Sequence, residues 1–140
     1  MDRRDFFKVA VAGTAATVVG APQIANAAHP RMVGGVYYTK AVPGRWAKKV
    51  GGHMPLIEIS RAEGEVSVKV TTPHEMKGHE HYIVKHVILN ENFEFLVEKM
   101  FDPTKEFSPV SEHKLGAYEG KLNVLSVCNK HDTWLNSATI

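Results

Sequence analysis

Beyond Lys49 the chain is broken into short runs with a two-residue period and no sustained helical period, and this limits its fold more than any other feature. Leu56–Ile59 reads as one strand. Val66, Val68 and Val70 alternate with Ser67 and Lys69, the pattern of a strand with one buried face. His81–Leu89 is rich in β-branched and aromatic residues, Asn90-Glu91-Asn92 supplies a turn, and Phe93–Val97 returns, which predicts a hairpin. Gly120 precedes Lys121–Val127, read as the final strand and ending at Cys128. Upstream, Ala28–Lys49 is interrupted by Pro30, Gly34, Gly35, Pro43 and Gly44 and predicts an extended arm or loop, with a short strand at Val36–Tyr38. Short strands between turn signals predict an all-β fold: a single immunoglobulin-like antiparallel β-sandwich.

The beginning of the chain belongs to targeting rather than to this fold. Met1–Lys8 reads MDRRDFFK, an apolar run from Val9 to Gly20 follows, and Ala25-Asn26-Ala27 has the small-x-small form of a cleavage site. The paired Arg3 and Arg4 predict a twin-arginine signal over residues 1–27 and a folded domain over 28–140, exported to the periplasm or another extracytoplasmic space. The apolar run, about a dozen residues, is too short to span a bilayer, so no membrane association is expected after cleavage. With 17 Lys+Arg against 15 Asp+Glu, the charge gives no reason to expect a nucleic-acid partner.

Cys128 is the single cysteine, so the chain forms no internal disulfide, and an unpaired thiol in an oxidising compartment is a liability unless something occupies it. In Cys128-Asn129-Lys130-His131 a thiol and an imidazole three residues apart, at a strand-to-loop corner, can reach one metal ion. Of the chain's 8 histidines, His74, His79, His81 and His86 crowd one stretch, and His53 stands just before Pro55. Glycine and proline neighbours place His53, His74 and His131 in loops, where side chains converge at one end of a sandwich. His86 is expected on the opposite face from His81 in a structural role, and His29 and His113 are expected to be exposed.

These residues carry a resemblance. His53-Met54-Pro55-Leu56-Ile57-Glu58, then His74-Glu75-Met76 with His81-Tyr82-Ile83, then Cys128-Asn129-Lys130-His131-Asp132-Thr133-Trp134 resemble, in order, the iron-binding domain of the superoxide reductases of the desulfoferrodoxin and neelaredoxin group. The resemblance implies one iron, cycling between ferrous and ferric, with His53, His74, His81 and His131 around it and Cys128 on the axis. It implies reduction of superoxide to hydrogen peroxide. The chain lacks the cysteines of an additional iron domain, so a separate electron-donor protein is implied. A homo-oligomer is left open.

Three departures from the family pattern set further expectations. Gly51-Gly52 stand where the family has Glu-Lys before the first histidine, which leaves Lys48 and Lys49 as candidates for attracting the anion. His74 and His81 are seven residues apart where the family spaces its two loop histidines six apart; His81 leads directly into Tyr82-Ile83, with His79, five from His74, as the alternative ligand. Asp132 replaces a glycine, pointing to turn chemistry or to a hydrogen bond with a neighbouring ligand. The competing readings are a cupredoxin-like copper electron carrier and a non-catalytic metal-binding module. Against the first, no methionine follows Cys128 to serve as an axial ligand.

Overall fold

The computed structural model describes residues 31–140, so the leader read over 1–27 and His29 lie outside the described residues. A short 3-10 segment, Gly44–Lys49, runs into a single helical turn, α1 (Val50–His53). Seven strands follow: β1 (Leu56–Ala62), β2 (Glu65–Thr71), β3 (Ile83–Leu89), β4 (Phe95–Met100), β5 (Val110–Lys114), β6 (Lys121–Cys128) and β7 (Asp132–Thr139). They form two antiparallel sheets, one ordered β1-β2-β5 and the other β4-β3-β6-β7. The β-sandwich expected from the alternation is the fold observed.

The two-residue period explains how the sheets meet. Val66, Val68 and Val70 of β2 are buried against Ile88 of β3 and against Leu122 and Val124 of β6. Ile57 and Ile59 of β1 sit opposite Val70 and Val68 and extend the same inner face. Each such side chain contributes roughly 1.5–3 kcal/mol when fully removed from water. Among the described residues, no helix is long and apolar enough to cross a membrane.

Several expectations need correction. Lys121–Cys128 is not the last strand, because β7 pairs with it along its whole length and carries the fully buried Trp134 inward. β5 was not evident in the sequence. Its alternation is made by Ser111 and His113, whose polar character hides an inward-facing register, and His113 is buried rather than exposed. His53 lies at the end of α1 instead of in a loop, and the strand expected at Val36–Tyr38 is reduced to isolated bridges, one joining Tyr38 to Trp134. The third strand begins at Ile83, leaving His81 in the preceding connection.

Candidate metal centre

Where β2 and β6 end and β3 begins, His53, His74, His81, Cys128 and His131 meet, each offering one donor atom within 4.8 Å of the other four. His53 is presented by α1. His74 follows β2 in a tight turn in which its N–H donates to the Thr72 carbonyl, 2.7 Å. His81 ends a loop that closes through the Lys77 N–H and the His81 carbonyl, 2.8 Å. Cys128 is the last residue of β6, buried against Ile83 and Phe101, and His131 stands in the β6–β7 turn.

Hydrogen bonds orient two of the rings. His53 Nδ1–H donates to the Lys49 carbonyl, 2.8 Å, and His74 Nδ1–H donates to the Glu75 carbonyl. In the neutral rings both Nε2 atoms are therefore left with lone pairs facing inward. Neutrality is favoured because burial pushes the His53 imidazole down to about 4. Burial likewise depresses His74, His81 and His131; the Lys49 ammonium adds to the effect on all three, and Lys130 adds to it on the last two. Converging lone pairs on uncharged rings suit a cation better than they suit protons.

The spacing discriminates between geometries. His53 Nε2 lies 3.1 Å from His131 Nδ1, which lies 3.1 Å from His81 Nε2, which in turn lies 3.0 Å from His74 Nε2. Metal–imidazole bonds of roughly 2.1 Å put adjacent donors about 3.0 Å apart on a square and about 3.4 Å apart on a tetrahedron. The three observed edges match the square spacing rather than the tetrahedral one and run in the order His53, His131, His81, His74. The rings of His53 and His81, not adjacent in this order, are 6.3 Å apart and inclined by 29°. Cys128 Sγ is the fifth donor, 3.5 Å from His131 Nδ1 and 3.8 Å from His74 Nε2.

The family model for desulfoferrodoxin matches residues 45–137, a span that holds all five donors. The chain belongs to the desulfoferrodoxin family. Solved structures agree. A superoxide reductase (neelaredoxin) from Ignicoccus hospitalis is 24% identical, with a TM-score of 0.61, over 76% of this chain and 95% of that one, a likeness of fold. One from Archaeoglobus fulgidus in its reduced form is 28% identical, with a TM-score of 0.54, over 67% and 91%. A superoxide reductase in the oxidised state is also 28% identical, with a TM-score of 0.52, over 63% and 87%. No curated protein matches the chain at a significant level.

Around the cluster, this desulfoferrodoxin domain has supporting residues, of which the sequence pointed to Asp132 but not to its partners Arg45 and Trp46. Asp132 has φ of 63°, the left-handed conformation a glycine would take without strain. It touches no ligand. Its carboxylate accepts from Trp46 Nε1–H at 2.8 Å and from Arg45 at 2.6 Å, and these two partners hold it below its usual range. Trp46 in turn sets its ring edge-on to His131, 4.7 Å away. Asp132 thus ties the segment leading to His53 onto the turn bearing His131. Trp134 packs beneath, its indole N–H donating to the His131 carbonyl at 2.9 Å and its ring 5.7 Å from His53.

His79 stays outside the cluster, exposed, with its ring against Tyr82. Lys48 and Lys49 are both exposed, and neither forms an ion pair with a described residue. Of the two, Lys49 is the one whose charge bears on the histidines. Lys130, between Cys128 and His131 and a candidate for the same task from its place in the sequence, shares that influence. His86 is fully buried away from the cluster, bonded to Thr72 and Ser111.

Proposed function

We infer that the domain reduces superoxide to hydrogen peroxide at one mononuclear iron, with electrons from a separate donor protein. The observation that carries this reading is the convergence of four imidazole nitrogens, at square-like edge spacings of 3.0–3.1 Å, with a buried sulfur as fifth donor. Membership of the desulfoferrodoxin family and the likeness to superoxide reductases at 28% identity support it. Iron, once bound, supplies the one-electron ferrous–ferric couple. Each superoxide takes up one electron, ultimately from the donor protein, and two protons from water.

The chain's own residues have distinct tasks. His53, His74, His81 and His131 would hold the metal through neutral nitrogens, and the Cys128 thiolate, a soft and electron-rich ligand, would be the fifth donor. Lys49 and Lys130, with Lys48 beside them, would draw the anion toward the site. Five donors exceed the His₂Cys plan of a blue-copper centre, which argues against the copper-carrier reading. The twin-arginine leader would deliver the folded protein to the periplasm, where superoxide is its substrate. Protein purified from its host should contain about one iron per chain, as one such ligand set implies. Its ferrous form should consume superoxide and yield hydrogen peroxide without evolving oxygen. Oxygen at half the superoxide consumed would establish dismutation and overturn the reductase reading, and stoichiometric copper with a blue-copper EPR signal would overturn the iron.

A further inference from the structure

The connection between β2 and β3 carries three histidines; His74 and His81 face the cluster, and His79 does not. His79 and His81 are two residues apart, His79 in the turn over 78–80 and His81 where the loop closes back on Lys77. A shift of that turn by two residues would bring His79 into the place of His81. Within the connection itself the opposition is short-range: one backbone bridge between Lys77 and His81, an exposed Glu75–Lys77 ion pair, and the left-handed Gly78 (φ 53°), whose conformation the slip would hand to Met76.

The restraint comes from across the site. The Asn129 side chain donates through Nδ2 to the carbonyls of His79 at 3.2 Å and Glu80 at 3.0 Å, and accepts at Oδ1 from the Tyr82 N–H at 3.0 Å. Its backbone N–H donates to the Tyr82 carbonyl, 3.2 Å. These bonds bracket His81 on both sides and tie its loop to the turn that holds Cys128 and His131. A short planar amide suits this position because it offers two donors and an acceptor at once. Aspartate would keep the bond from Tyr82 and set a second oxygen against two carbonyls.

We propose that Asn129 is a positioning residue that fixes the register of the 75–82 loop, so that His81 and not His79 faces the metal. The proposal rests on the metal-site reading above. Residues that orient ligands without touching the metal typically affect its affinity by roughly 10–100-fold. Asn129→Ala and Asn129→Asp should each lose affinity for iron in that range, measured by competition with a chelator. His79→Ala should have no effect in the wild-type background and should weaken binding further in Asn129→Ala, an interaction seen only if His79 has entered the site. In the metal-free protein, hydrogen exchange at the Tyr82 amide should accelerate in Asn129→Ala while amides in the β2 core keep their protection.

Wild-type iron affinity in both Asn129 variants would overturn the clamp. A silent His79→Ala in both backgrounds would overturn register selection. If the wild-type chain bound no iron, the metal-site reading would fail, and unchanged Tyr82 exchange in Asn129→Ala would then separately overturn the clamp.

Discussion

Lowering the pH should destabilise this domain through a histidine that lies outside the metal cluster. His86 is fully buried between the sheets; Nε2 meets the Thr72 hydroxyl at 2.8 Å and Nδ1 meets that of Ser111 at 2.8 Å. Thr72 is bonded to Ser126 and Ser111 to His113, and Phe101 lies edge-on to the ring. No carboxylate is among these partners, so burial, with a smaller push from His113, lowers His86 from 6.5 to about 4. The folded pKa lies below the unfolded one, so stability is fully present above pH 6.5 and is lost as the pH falls toward 4, where the unfolded chain takes up a proton that the native ring refuses. At about 1.4 kcal/mol per pH unit the loss amounts to about 3 kcal/mol.

Other histidines titrate in the same window, so the test is a difference. Urea unfolding of wild type and His86→Gln should be compared at several pH values from neutrality down to pH 4. The variant is less stable at neutral pH because its amide cannot reproduce both hydroxyl contacts. That gap should narrow by about 3 kcal/mol on acidification, since only the wild type forfeits the His86 contribution. A gap that stays constant with pH would refute the reasoning.

Two further predictions concern charge and strain. Replacing Lys48 and Lys49 together with alanine should slow the second-order reaction with superoxide and flatten its dependence on ionic strength, while iron content stays the same; an unchanged rate and salt response would remove both lysines from the reaction. Asp132→Ala should destabilise the domain by about 1–2 kcal/mol in urea unfolding, because a methyl is forced into left-handed backbone and the Trp46 indole loses its acceptor. Asp132→Asn should cost much less, since asparagine tolerates that conformation and still accepts from Trp46. Equal losses would show that the charge, not the acceptor, is what matters.

The sandwich and the membership of the site were legible to different depths. Val66, Val68 and Val70 announce their strand because alternation is a local property, readable wherever one face is apolar. β5 and the inward His113 were hidden because the side chains turned to the interior are polar, satisfied by Ser111 and His86 rather than by apolar contact. β7 was hidden for a related reason: its residues follow directly on His131, and the turn between them contains no glycine, with Asp132 in the left-handed position instead.

By itself, then, the sequence determined which groups could bind a metal: a lone thiol and a surplus of histidines at chain breaks are matters of composition and order. The family resemblance named His53, His74, His81, Cys128 and His131 as one set; only the tertiary structure shows how they come together and in what order. His81 rather than His79 enters the square because Asn129 grips the neighbouring backbone from 47 to 50 positions away in the chain. Trp46 reaches Asp132 across 86 positions. Such contacts leave no periodic trace in the sequence, because they depend on where separate strands end in space.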